Sequence, residues 1–190
     1  MEDGKVSIVN RNSGNVWLDA EKFNLTVQNF RLIDSDITGD LNNFCFVAKK
    51  NNEQYNVQNF TGKVHYSKKE IRIANLNLRT DTSVLNGNFL LSYKEPSEMS
   101  DFANKVRWDV FFDRGSVINF KEIRYFTEQF NKNSSVNVYG NVTGTLNNLT
   151  FSDFELKGED NYVGVSRFYL QNALDGSSLR FSTKNAKINT

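Results

Sequence analysis

Apolar residues recur at every second position along most of this chain, and at several points the alternation skips one beat in the same way. In VNVYGNVTGTL, one face reads Val136, Val138, Gly140, Val142, Gly144 and Leu146, and the other is polar. Phe60, Gly62, Val64 and Tyr66 form a second such row. Leu85, Gly87, Phe89, Leu91 and Tyr93 form a third, and Val106, Trp108, Val110 and Phe112 a fourth. Period two with one dry and one wet face is the signature of antiparallel sheet open to water on one side.

The skipped beat is a pattern of its own: apolar, any, apolar, two others, apolar, any, apolar. It appears as LTVQNFRL from Leu25, IRIANLNL from Ile71, LTFSDFEL from Leu149 and VGVSRFYL from Val163. Looser copies are YNVQNFTG from Tyr55 and FSTKNAKI from Phe181. In a regular strand the two-residue gap would send half of these apolar residues into water. A bulge or bend at the gap returns them to one face and turns the strand. Recurrence predicts a sheet bent at similar levels along successive strands, and so a trough. The octapeptides ITGDLNNF, Ile37 to Phe44, and VTGTLNNL, Val142 to Leu149, are nearly identical and read as repeated units of that wall.

Two segments break the strand pattern. KEPSEMSDFANK, residues 94–105, holds the only proline and reads as a loop with room for one helical turn. Within residues 117–130, Phe120, Ile123, Phe126 and Phe130 follow helical spacing, and Asn119 with Glu122 fits a capping box. The expected organisation of residues 1–190 is therefore one continuous unit: strands over 1–93, a loop over 94–105, one strand, a helix over 117–130, and strands over 134–190. The chain starts and stops in mid-pattern, as expected of a piece of a longer protein. The fold class this implies is all-β, a long curled and mostly antiparallel sheet that forms a groove, with one short helix.

Composition excludes several functions. With 23 basic and 22 acidic residues the net charge is +1, without the basic excess of a nucleic-acid binder. No apolar run approaches the ~18 residues of a spanning helix. The start, MEDGKVSIVN, lacks the basic and apolar parts of a signal peptide. One cysteine rules out an internal disulfide, and Cys45, inside FCFVA, reads as a small buried hydrophobe. His65 is the only histidine and lies on a polar strand face, where it reads as an exposed bystander. Asp34 and Asp36, and Asp19 and Glu21, read as turn residues and solvated charges. The glycines are spread through strands and form no phosphate loop. No cofactor, no metal site and no catalytic set is expected, and the chain reads as a non-enzyme.

What remains is the apolar face. It is either an ordinary core, closed by a second layer, or a concave trough for acyl chains. Long strands and a single helix to cover them favour the trough. Its expected lining is Ile37, Leu41, Phe60, Val64, Phe89, Leu91, Trp108, Val110, Val138, Val142 and Leu146. Gly39, Gly62, Gly87, Gly140 and Gly144 fall on the same face and are expected as gaps in the wall, where the sheet bends or another chain lies close.

The stretch FTGKVHYSKKEIRIANLNLRTDTSVLNGNFLLSY, followed by SDFANKV, SVINFKEIRYF and VYGNVTGTLNNLTFSDFELKG, resembles the TamB family of the AsmA-like superfamily. The likeness is to its long Bacteroidetes-type versions and covers roughly residues 25–190. The resemblance implies an internal piece of a periplasmic envelope protein, held in the inner membrane by an anchor absent from this chain. It implies a β-groove that carries phospholipid acyl chains between inner and outer membranes and supports outer-membrane biogenesis. An outer-membrane barrel protein is the partner implied by the same likeness. Two rivals stand beside it: a scaffold that pairs open strand edges with outer-membrane proteins, and a closed β-sandwich that binds no lipid.

Overall fold

The computed structural model of the protein describes residues 4–9, 16–50, 53–123 and 134–189. They form one antiparallel sheet of eleven strands in sequence order, each strand paired with its neighbours in the chain. The strands are β1 (Gly4–Val9), β2 (Val16–Ile33), β3 (Asp36–Lys50), β4 (Glu53–Tyr66), β5 (Glu70–Thr80) and β6 (Val84–Ser92). After them come β7 (Arg107–Asn119), β8 (Ser135–Thr145), β9 (Asn148–Lys157), β10 (Tyr162–Gln171) and β11 (Arg180–Asn189). At 18, 15 and 14 residues, β2, β3 and β4 far exceed an ordinary strand of about 5–6. No second sheet packs on this one among the described residues, and each strand makes its substantial contacts with its sequence neighbours. The accessible surface, 12539 Å², exceeds the roughly 9,300 Å² of a compact monomer of this mass. The expected class, a long curled and mostly antiparallel all-β sheet, is the one observed; among the described residues two single-turn helices stand beside it where one short helix was expected. A closed sandwich is not observed.

The skipped beats are local irregularities of the backbone, and they become bulges where the neighbouring strand has none at that level. Five strand residues take left-handed backbone: Lys22, Asn29, Asn75, Asp153 and Asn185, with φ between 46° and 54°. Asn29, Asn75, Asp153 and Asn185 each occupy the second gap position of a recurring motif. Asn and Asp tolerate this conformation best among residues with a Cβ, because their short polar side chains bond the local backbone. Lys22 marks a further copy of the motif, AEKF, with Ala20 and Phe23 flanking the gap. In β9, β10 and β11 the gaps sit level, Ser152 opposite Arg167 and Arg167 opposite Lys184, so these strands flip phase together without a register shift.

Elsewhere a gapped strand meets one without a gap, and there the register shifts. Such shifts fall at residues 73–76 of β5 against β6, at 61–63 of β4 against β5, and at 139–141 of β8 against β9. A glycine faces the bulged strand at each: Gly87 and Gly62 face the bulge of β5, and Gly140 that of β9. At Gly140 a Cβ would overlap the carbonyl oxygen of Asp153, the bulged residue itself. The glycine is thus the partner of its neighbour's bulge. Replacing Asn75 tests the bulge directly. Asn75→Val should cost about 1–2 kcal/mol in urea denaturation, whereas Asn75→Gly should be neutral within about 0.5 kcal/mol.

The near-identical octapeptides do not share a structure. Ile37–Phe44 lies wholly within β3, where Asn42 and Asn43 form a bulge between Leu41 and Phe44. Val142–Leu149 instead ends β8, turns at Leu146 and Asn147, and starts β9. The pair Asn-Asn suits both a bulge and a tight turn, and neighbouring strands select one.

The segment 94–105 is a 3₁₀ turn, Pro96–Asp101, and one helical turn, α1 (Phe102–Lys105). The helix expected over 117–130 begins only at Phe120, as α2 (Phe120–Ile123), because residues 117–119 still pair with β8. Residues 124–130 lie outside the described residues. The capping box is not formed. Asn119 Oδ1 accepts from Lys121 N at 2.9 Å, but the Asn119 N–H donates to Ser83 Oγ. The Glu122 carboxylate turns away to accept from Thr80 Oγ1 at 2.7 Å and Thr82 N at 3.1 Å.

Candidate functional site: the apolar face

Register converts the sequence pattern into rows that cross the sheet. One row runs Ile37, Tyr66, Ile71, Leu91, Trp108, Gly144, Leu149, Leu170, Phe181. The next runs Gly39, Val64, Ile73, Phe89, Val110, Val142, Phe151, Phe168. A third alternates large and absent side chains: Leu41, Gly62, Leu76, Gly87, Phe112, Gly140. Large residues come from β3, β5 and β7, and glycines from β4, β6 and β8. Removing the side chain from every second strand leaves room for the large ones when this face curves inward. Phe60 pairs with Phe44 and Leu78, and Val138 with Ser116 and Leu156.

Ten of the eleven expected lining residues therefore stand in strands on one face. Leu146 is the exception, a half-buried turn residue. Leu91, Val110, Val138 and Val142 are buried, while Leu41, Phe60, Val64, Phe89 and Trp108 are half-buried and Ile37 is exposed. Burial is thus greatest in the central strands and falls towards the flanks. Phe30 and Leu32 on β2 are each 60% exposed, and Phe181 on β11 is 73% exposed. Ile71, Ile73, Phe151, Phe154 and Phe168 belong to the same face. The gapped motif already contained them, but single uninterrupted rows did not.

Connections fold against both ends of this face. At one end lies a hydrophobic cluster: Leu91, Tyr93 and fully buried Val106, with Ile71, Phe89, Phe102 and Trp108 packed against it. The Trp108 ring meets Phe89 and Phe102 edge-on, at 5.4 and 6.0 Å between centroids. Asn147 ties three connections together there. Its backbone N–H donates to Ala103 O and its Nδ2 to Asn104 Oδ1, while its carbonyl accepts from Ala173 N. At the other end, α2 reaches over the last residues of β5 through the Glu122 bonds. Burial pushes the Tyr55 phenol on β4 up to about 12, with the Glu122 charge adding to the effect. A cavity of about 380 Å³ lies beside α2, with Phe120, Val136, Leu156 and Val163 among its lining.

The opposite face is polar and cross-linked by side chains. Asn59 Nδ2 donates to Asn77 Oδ1 and Asn77 Nδ2 to Asn86 Oδ1, at 3.4 and 2.6 Å. Cys45 is on this face and only half-buried, because Phe44 and Phe46 take the apolar side; the expected buried position is corrected by the alternation itself. His65 is likewise half-buried, with Nδ1 3.1 Å from Glu70 Oε1 and Nε2 3.9 Å from Asp36. Asp34 is a turn residue with positive φ, and Asp19 and Glu21 pair with Lys5 and Lys49. The Arg72 guanidinium beside Glu70, helped by His65, holds the Glu70 carboxyl below its ordinary value. A lowered folded value means that this stability exists above the unfolded value and is lost as pH falls through the folded one. Glu70→Gln should therefore cost about 0.5–1 kcal/mol near neutral pH, and the cost should shrink as pH falls through the folded value, read from urea midpoints.

Among the described residues no group of three or more His, Cys, Asp or Glu side chains could hold a metal ion. No helix among them is long and apolar enough to cross a membrane. The feature with functional promise is the uncovered apolar face between its two end connections. Comparison of the chain with family models, with curated proteins and with solved structures gives no match. The apolar face supplies its own chemistry. It offers aliphatic and aromatic side chains in continuous rows and no charged group within them, which is what an apolar chain requires.

Proposed function

We propose that this chain is a segment of a lipid conduit, as its resemblance to the TamB family implies. In this reading the curled sheet carries phospholipid acyl chains along its apolar face while head groups stay in water. The full-length protein would stand in the periplasm, anchored in the inner membrane, pass lipid between inner and outer membranes, and support outer-membrane biogenesis with a barrel partner. The observation that carries the reading is the apolar face of a single-layered sheet with no second layer on it among the described residues. An acyl chain gains about 0.8 kcal/mol for each CH₂ taken out of water, so a continuous apolar row can stand in for membrane. No chemical step is needed, and the reading is non-enzymatic.

Native mass spectrometry of the protein purified without detergent should find phospholipid bound. Protein that emerges lipid-free and takes up none from vesicles would sink the conduit. The scaffold reading draws on one observation, the outer edge of β11, where every described residue is exposed. That edge carries Arg180, Lys184 and Lys187, charges of the kind that discourage strand addition. The conduit is therefore preferred.

A further inference from the structure

The Trp108 indole nitrogen is buried and has no hydrogen-bond partner among the described residues. Buried N–H groups normally have one, and leaving one unpaired carries a real penalty. The group sits on the apolar face, in the row of Leu91 and Ile71, and unlike the Tyr93 hydroxyl of the same cluster, which donates to Ser67 O, it has found no acceptor. It lies beneath the β6–β7 connection, with Phe102 of α1 edge-on to its ring. That cover is lightly held. α1 is a single turn that buries no side chain completely, and two hydrogen bonds from Asn147 bind it to the β8–β9 turn.

We propose that Trp108 is the polar contact for the acyl ligand: its Nε1–H donates to the ligand's acyl carbonyl oxygen, at the end of the face that α1 covers. The inference rests on the lipid reading and adds to it a ligand atom and a position. An acyl chain crossing the rows, parallel to the central strands, then has its carbonyl at the Leu91 and Trp108 level and its tail running towards Val110 and Val138. Displacing Phe102 uncovers the indole, and the carbonyl supplies the missing acceptor. A fatty acid and a glycerolipid ester share this chemistry.

The test uses the whole chain and three probes: methyl 9,10-dibromostearate, 9,10-dibromostearic acid and 9,10-dibromooctadecane, which has no oxygen. Affinities come from native mass spectrometry titrations. In the Trp17→Phe background Trp108 is the only tryptophan, so bromine quenching of its emission reports proximity. Wild type should bind a carbonyl probe about five- to tenfold more tightly than the alkane, the worth of one hydrogen bond. Trp108→Phe keeps a ring between Phe89 and Phe102 but no donor, and should erase that preference while still binding the alkane. A preference for ester over acid points to glycerolipid, and the reverse to fatty acid; both support the contact. Equal binding of all three probes by wild type, or an unchanged preference in Trp108→Phe, overturns the contact and leaves the conduit standing. If no probe binds wild type, the conduit fails and the contact with it.

Discussion

Gly87→Ala should be among the most damaging single-methyl substitutions in this protein, costing about 3 kcal/mol or more in urea denaturation. Gly87 is buried on β6, with φ of 147°, opposite the register shift between β5 and β6. A Cβ built there overlaps the carbonyl oxygen of Phe111 on β7, and that oxygen belongs to the sheet backbone. A side-chain end could swing away; a paired strand cannot move without losing its own hydrogen bonds. Neighbouring Phe112 begins the bulge that re-registers β7 on β8, so displacement there would spread to a third strand. Gly176, in the β10–β11 connection, has open space where its Cβ would be. Gly176→Ala is the control and should shift the midpoint by less than about 0.5 kcal/mol. If both variants are equally stable, the close approach at Gly87 is not what the glycine is for.

The same position shows how much of the fold the sequence displays, and where it stops. Alternation gives strand and face at once, since period two has no other economical explanation over so many residues. Glycine on the apolar face is visible as well, but its reason is not. That reason is a bulge on another strand, and single-strand reading does not say which strands are neighbours at which level. The twin octapeptides mark the same boundary. ITGDLNNF and VTGTLNNL look like one unit, yet Asn42–Asn43 bulges and Leu146–Asn147 turns, because partner length and not local preference decides. Glu122 looked like half of a capping box and serves Thr80 and Thr82 instead, 40 and more residues away in the chain. Cys45 is hidden by a different error: an apolar run suggests burial, while alternation inside that run turns the thiol to the polar side. For the candidate site, the rows were legible strand by strand. The cover over Trp108 was not, since nothing in SDFANK announces which end of the face it meets.

Val142→Asp should abolish acyl-chain binding and, separately, strain the fold. Val142 is buried at the middle of the second row, between Val110 of β7 and Phe151 of β9. Phe151 itself packs on Phe154 and Phe168, so no polar partner is near. A carboxylate placed there is desolvated, which raises its folded value above the unfolded one. The neutral form is tolerated better, so the penalty is smallest below about pH 4 and grows as pH rises through the unfolded value towards the raised folded one. Near neutral pH it should reach about 3 kcal/mol. Loss of binding in a protein so weakened would prove little alone. Val163→Asp supplies the second measurement: Val163 is on the same face but 37% exposed, so its carboxylate keeps water and the fold should survive. A charge in the path of an acyl chain still costs binding, and bound lipid in native mass spectra should fall about tenfold or more. Asn88→Asp puts the same charge on the polar face of β6 and keeps the oxygen that accepts from Asn75 N, so lipid content there should not change. Lipid retained by folded Val163→Asp would mean that the apolar face is not the path. Equal loss from Asn88→Asp would mean that charge, and not the face on which it stands, decides binding.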